Sequence, residues 1–252
     1  IGDGGLEALL SCDVVVKTPG IPPWSPPVRA LRDAGVTIAG GVGLWLAGAD
    51  LSKVVCVTGT KGKSTTTALL THLATGLGVR TLAAGNLGVP PHDPTAAAQT
   101  YDLVVVEVSS YQAVDVAVSP PVVAVTSLHP DHLPWHGGDV ETYYRDKLSL
   151  CTRPGAQLTI ANGDSPLLRE RRALLGPRVT WVGEDDEPDA AWIHPLGLLG
   201  RHNRRNALIA RQVLLALGVS GADDDARLER AAHGYAGLES RLRLVGTVDG
   251  VD

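Results

Sequence analysis

Val54-Val55-Cys56-Val57-Thr58-Gly59-Thr60-Lys61-Gly62-Lys63-Ser64-Thr65-Thr66-Thr67 decides the fold. An unbroken apolar run ends in a glycine loop, and a Lys-Ser pair then opens a segment that reads as a helix over 64–76. Glycines let successive backbone N–H groups turn towards a phosphate, and a helix N-terminus adds favourable partial charge there. Lys63 is placed to reach terminal phosphates, and the Ser64 hydroxyl to ligate magnesium. The spacing G-x-x-G-K-S is shorter than the full G-x-x-x-x-G-K-[ST] pattern. The pattern alone therefore leaves an ordinary glycine turn with a serine cap open. A strand before and a helix after favour the nucleotide loop, with Gly59, Thr60, Lys61, Gly62, Lys63, Ser64 and Thr65 as its members.

Downstream of this stretch, strand, loop and helix alternate. Strands are expected at 54–58, 80–84, 103–108, 122–127, 157–161 and 178–182, and helices at 64–76, 141–150, 203–217 and 226–234. Strands of Val and Ile without polar alternation suit a parallel sheet covered on both faces. A hairpin at 242–245 and 249–250 is expected to close this α/β unit. Upstream, Asp13-Val14-Val15-Val16 reads as a short strand leading into the Pro- and Gly-forced loop Lys17-Thr18-Pro19-Gly20-Ile21-Pro22. A helix at 28–34 and a strand at 36–39 follow, Gly40-Gly41 marks a break, and 44–49 leads into the larger unit.

Composition narrows the class. A 44% hydrophobic share with 19% charged residues is that of a globular chain. The net charge of -5 and the lack of a Lys/Arg run disfavour nucleic acid as a partner. Cys12, Cys56 and Cys151 form no C-x-x-C pair, so neither a disulfide framework nor a zinc ribbon is indicated. No apolar run approaches the roughly 18 to 20 residues that span a bilayer. With no membrane segment and no signal peptide, a cytoplasmic location is expected.

Three further segments carry candidate chemistry. Leu103-Val104-Val105-Val106-Glu107 puts a carboxylate at the end of an apolar strand, where it is expensive unless paired or metal-bound. In a parallel sheet the strand ends face the same crevice as the phosphate loop, so Glu107 is placed to hold magnesium beside a triphosphate. The next strand runs into Leu128-His129-Pro130-Asp131-His132-Leu133-Pro134-Trp135-His136. Read alone, each histidine there fits a hydrogen-bonded loop residue better than a ligand, since magnesium prefers oxygen. Lys147 follows on a helix, where a lysine is ordinarily solvated.

Taken in order, K-T-P-G-I-P, G-T-K-G-K-S-T-T-T, G-N-L-G-V-P, E-V-S-S-Y-Q, H-P-D-H, Y-Y-R-D-K-L, N-G-D, G-R-H-N-R-R-N-A-L and G-L-E-S-R-L resemble the Mur ligases, from about residue 11 to the end. The resemblance is strongest to the branch that adds glutamate to UDP-N-acetylmuramoyl-L-alanine. It implies a partial Rossmann-like uridine-nucleotide-binding domain over 1–49 and a P-loop ATPase-like central domain over 50–252. The first half of the former and a C-terminal amino-acid-binding domain would be missing. It implies ATP and Mg²⁺ as cofactors, with Ser64, Glu107, His132 and Lys147 around the metal and Lys147 carried as a carbamate. Lys63, Lys147, His132 and Arg241 would be catalytic, with Arg241 near the terminal phosphate and Asn203 and Asn206 near the nucleotide. Asn86, Ser109 and Gln112 would lie near the muramoyl substrate, and Thr18, Pro19 and Gly20 near its uridine diphosphate. Asn86 and Asn203 also fit turn or cap roles, and Ser109 and Gln112 a helix start.

The implied reaction makes an acyl phosphate from ATP and the nucleotide-sugar carboxylate, and the glutamate amine then displaces phosphate from it. UDP-N-acetylmuramoyl-L-alanine and glutamate would be the partners of a monomer, without nucleic acid or membrane. The chain departs from the branch pattern at Ser127, Pro134 and Ser240. The Trp135-His136-Gly137 stretch resembles a variant whose added amino acid is L-glutamate.

Overall fold

The computed structural model describes residues 4–238; Arg241, Ser240 and the expected closing hairpin lie outside the described residues. The N-terminal part runs α1 (Gly5–Leu10), β1 (Val14–Lys17), α2 (Pro26–Asp33), β2 (Thr37–Gly40) and α3 (Gly41–Gly48). β1 and β2 pair in parallel over a small core of Val15, Leu31 and Val36. Pro26 and Pro27 open α2, where their missing N–H groups have no partner to lose.

The larger part begins with β3 (Val54–Thr58), α4 (Lys63–Gly76), β4 (Thr81–Gly85), α5 (Pro94–Ala97), β5 (Leu103–Glu107) and α6 (Ser110–Ala113). It continues with β6 (Val122–Val125), α7 (Val140–Leu148), β7 (Leu158–Asn162), α8 (Pro166–Glu170), β8 (Val179–Val182), α9 (Arg201–Ala216) and α10 (Asp225–Ala232). Its six strands are ordered β4-β5-β3-β6-β7-β8, every neighbouring pair parallel. The mainly parallel α/β sheet expected from the apolar strands is the one observed.

Both faces of this sheet are covered, which is why its strands lack polar alternation. Successive side chains of a strand point to opposite faces. Val55 and Val57 pack with Leu69, Leu70 and Leu73 of α4 and with Leu208 and Val213 of α9. Val54 and Cys56 face the other way, onto a core that includes Tyr143 and Leu148 of α7 and Leu46 of α3. Cys56 and Cys151 are buried in that second core and Cys12 is exposed; all three thiols are free. Burial pushes the Cys56 thiol far up and that of Cys151 up to about 12. Among the described residues no helix is long and apolar enough to cross a membrane.

Gly40-Gly41 is not a break, contrary to the sequence expectation. β2 ends at Gly40 and α3 starts at Gly41 without an intervening loop. Both glycines are closely packed: a Cβ on Gly40 would lie 3.0 Å from the Asp115 Cβ and one on Gly41 2.9 Å from the His92 ring, and on Gly43 a Cβ would lie 2.3 Å from the Asp115 carbonyl oxygen. The strand expected at 122–127 also stops early, at Val125, leaving Thr126 and Ser127 for other work.

Leu70 is fully buried between α4 and the sheet. Leu70→Ala is expected to lower the unfolding free energy by about 2–5 kcal/mol in urea titration. A loss below about 1 kcal/mol would mean that the α4 face does not carry the core.

Candidate functional site

β3 sits between β5 and β6, so three strand ends open on one rim. Val57 lies opposite Glu107, and Thr58 opposite Val125. The glycine loop after β3, the carboxylate ending β5 and the Thr126-Ser127 pair after β6 are therefore neighbours by register. Above them lies a cleft of about 410 Å³. It is lined by the loop residues Thr60 to Thr65, by Asn86 and Glu107, by Asp131 and His132, and by His202, Asn203 and Asn206 of α9.

The loop holds its shape through glycine geometry and side chains from β6. Gly59 has φ 138°, and a Cβ there would come within 2.2 Å of the Thr126 hydroxyl. Gly62 caps α4 at φ 89°, with Asn206 Oδ1 2.9 Å from where its Cβ would be. Thr126 Oγ1 donates to the Lys61 carbonyl (2.6 Å), and the Lys61 N–H donates to Ser127 Oγ (2.8 Å). The Thr60 N–H donates to the Ser127 carbonyl (2.9 Å), while its hydroxyl meets the Tyr143 hydroxyl at 2.9 Å. Burial, outweighing the bond to Thr60, pushes the Tyr143 phenol up to about 12, so it stays protonated. Sequence reasoning missed Thr126 and Tyr143 and registered Ser127 only as a departure. The signal available was a polar Thr-Ser pair placed where an apolar strand run should end.

Glu107 is 1% exposed. One of its oxygens, Oε1, accepts from Asn86 Nδ2 (3.1 Å). The other, Oε2, is buried with no hydrogen-bond partner among the described residues. An unsatisfied carboxylate oxygen at the edge of a polar cleft calls for a cation. His132 stands across the cleft with its backbone in the left-handed region, φ 50°, the one non-glycine residue so placed among the described residues. Its ring lies 3.6 Å from Asp131 and 5.1 Å from the Tyr111 ring.

Lys147 approaches the loop from beneath. Its ammonium is buried and donates to the Gly59 carbonyl (3.0 Å), with the Tyr143 ring centroid 5.1 Å away. Burial is the main cause that lowers its pKa from 10.5 to about 7; Lys63 adds to this, and Asp131 and Glu107 oppose it. Lys63 itself donates to the Thr60 carbonyl (3.1 Å). Asn203 Nδ2 donates to the Leu199 carbonyl (2.9 Å), and Asn206 Nδ2 to Asn203 Oδ1 (3.3 Å).

The remaining candidate residues lie apart from this cleft. Thr18, Pro19 and Gln112 line a neighbouring cavity of about 300 Å³, together with Lys17, Gly41 and His92. Ser109 and Gln112 form a reciprocal capping box at the start of α6: Ser109 Oγ accepts from the Gln112 N–H, and Gln112 Oε1 accepts from the Ser109 N–H. Gly20 adjoins this region through its carbonyl, which accepts from Trp135 Nε1 (3.1 Å). Lys17 is buried in an ion pair with Asp115, which ties β1 to the loop after α6.

A strand, a glycine loop and a helix N-terminus, with a buried carboxylate on the adjoining strand end, define a P-loop nucleotide-binding domain. The Mur ligase middle domain matches residues 57–196, and the chain belongs to that family. It is 40% identical over 268 residues to a UDP-N-acetylmuramoyl-L-alanine--L-glutamate ligase of Micromonospora, covering 99% of this chain and 57% of that protein. A protein of the same name from Xanthomonas axonopodis is 38% identical over 274 residues, with 99% and 56% covered. The chain thus spans a little over half the length of the curated relatives it matches. Among solved structures, its fold is similar to that of MurF from Acinetobacter baumannii (TM-score 0.62, 21% identity, 85% of this chain and 54% of that one). It is also similar to that of UDP-N-acetylmuramate-alanine ligase from Thermotoga maritima (TM-score 0.57, 18% identity, 94% and 58%).

The lowered pKa of Lys147 has a stability consequence. Between about pH 7 and 10.5 the unfolded chain holds a proton that folded Lys147 has released, so stability rises with pH across that window. Lys147→Met is expected to flatten this rise when urea unfolding is compared at about pH 7.5 and about 9.5. Equal slopes in the two proteins would place the amine in solvent.

Proposed function

We propose that the protein is an ATP-dependent ligase of peptidoglycan precursor synthesis that adds L-glutamate to UDP-N-acetylmuramoyl-L-alanine. The observation that carries this reading is the buried Glu107 oxygen without a hydrogen-bond partner among the described residues, on the rim shared with Lys63 and Ser64. The names of the relatives support the substrates, and favour L- over D-glutamate.

In this reading the domain over 50–252 binds ATP, and the part before it contributes the loop that meets the uridine diphosphate. Gly59 to Thr65 cradle the phosphates, and Asn203 and Asn206 lie towards the nucleotide. Glu107, Ser64 and His132 hold Mg²⁺. Among the described residues no cluster of three or more His, Cys, Asp or Glu could hold a metal. Magnesium takes one or two carboxylates and fills its shell with phosphate oxygens and water, and Glu107 would be its carboxylate here. When bound, the ion supplies neutralising charge at the β- and γ-phosphates.

The chain's own residues then do the following. The nucleotide-sugar carboxylate attacks the γ-phosphorus as the bond to ADP breaks, giving an acyl phosphate. The glutamate amine attacks the acyl carbon, and phosphate leaves. Two anions meet in the first step. Lys63, joined by Arg241 from the segment near the chain's end, offsets their repulsion and stabilises charge on the transferring group. Asn86 orients Glu107 through its amide. The cavity at Thr18, Pro19 and Gln112 receives the nucleotide sugar.

Lys147 is the position for a carbamate. With a pKa of about 7 its amine is neutral in large part at neutral pH. The neutral nitrogen adds to carbon dioxide and releases a proton, which yields an anionic oxygen donor beside the loop. One N–H remains to donate to the Gly59 carbonyl.

Three outcomes test the reading in the full-length protein. Phosphate release from ATP should require UDP-N-acetylmuramoyl-L-alanine and L-glutamate, with D-glutamate inert. Lys63→Ala should abolish that release while the nucleotide sugar still binds, and retained turnover would refute the loop assignment. Lys147→Ala should lose activity and regain part of it with added formate or acetate, measured by the same phosphate assay. Full activity without additives would rule out the carbamate.

A further inference from the structure

Two loops from different sheets are tied together by a pair of indoles. Trp24, in the segment after β1, donates its Nε1–H to the carbonyl of Trp135 (2.8 Å). Trp135 donates its own Nε1–H back to the carbonyl of Gly20 (3.1 Å). The exchange bridges 111 and 115 positions of sequence and joins the loop after β1 to the loop after β6. Beside it, the Lys17 ammonium lies 5.9 Å from the Trp135 ring centroid.

The same tryptophan also supports His132. Its backbone N–H donates to the His132 carbonyl (3.1 Å), closing the turn Leu133–His136 that His132 caps. Its ring packs on Tyr111 at 4.5 Å and 32°, and Tyr111 also meets the His132 ring at 5.1 Å. A non-glycine residue in the left-handed region persists only where its surroundings over-determine it. Here the Asp131 carboxylate accepts from the His132 N–H (2.9 Å) while Trp135 holds its carbonyl, and Trp135 is in turn anchored by Gly20 and Trp24.

We infer that Trp135 is a positioning residue that couples the loop Thr18–Gly20 to His132, so that nucleotide sugar on one side and magnesium nucleotide on the other strengthen each other's binding. The inference rests on the function proposed above, which assigns those two ligands. A ligand that orders either loop orders the other through the indole pair, so the second ligand meets a loop already set. By linkage the effect is reciprocal.

Isothermal titration on the full-length protein tests this, with UDP-N-acetylmuramoyl-L-alanine added in the absence and presence of a magnesium-bound, non-hydrolysable ATP analogue. In the wild type the analogue should tighten nucleotide-sugar binding by about 5- to 10-fold. Trp135→Phe keeps a ring for Tyr111 but has no N–H for Gly20, and Trp24→Phe removes the bond from the other side. Trp24 is 43% exposed, so the second variant carries the test if the first does not fold. In each folded variant the tightening should fall below about twofold while analogue binding alone stays within about twofold of wild type. Coupling preserved in either folded variant overturns the inference. Binding of both ligands to the wild type without mutual effect overturns it too, and leaves the proposed function standing. A wild type that binds neither ligand overturns both.

Discussion

Parallel pairing of β3 with β5 on one side and β6 on the other is the constraint from which the site follows. Because Val57 is held against Glu107 and Thr58 against Val125, the three strands run out at the same height. Whatever follows each strand must therefore share one crevice, as ligand sites of open α/β sheets generally do. The phosphate loop, a carboxylate and a pair of hydroxyls meet there without any of them needing a long reach. A register shift of one residue in β5 would turn Glu107 to the opposite face and place an apolar side chain at the rim.

The loop itself is short, and its rigidity is borrowed. Two residues between its glycines, against four in the longer G-x-x-x-x-G-K-[ST] pattern, leave fewer backbone groups to stabilise one another. Thr126 and Ser127 supply what is lacking by gripping the Lys61 peptide at both its carbonyl and its N–H. Ser127, a departure from the pattern of the glutamate-adding branch, is thereby a structural member of the cradle.

Much of this was legible in the sequence, and the reason is local. β3, its loop and α4 are contiguous, and a doubly covered strand leaves an apolar run that needs no partner to be read. The order of later strands and helices followed from the same rhythm. Glu107 stood out because a carboxylate ending such a run requires explanation. The illegible parts are those where partners are far apart. The Lys17–Asp115 ion pair spans 98 positions, and the indole exchange spans more. Nothing in the local pattern at Trp24 or Trp135 announces a distant carbonyl. α3 was hidden for a different reason, since Gly40 and Gly41 read as punctuation when they lie close against Asp115 and His92. Ser109 and Gln112, placed near a substrate by resemblance, are bonded to each other across the first turn of α6.

The distribution of the three thiols has a practical side. Cys56 and Cys151 are sealed within the sheet's second core and hold their protons firmly, whereas Cys12 faces solvent just ahead of β1. A maleimide fluorophore would accordingly attach at Cys12 without any engineering, just ahead of the small sheet and outside the lining of the cleft. These 252 residues thus offer a single reactive thiol for optical labelling, in their N-terminal part.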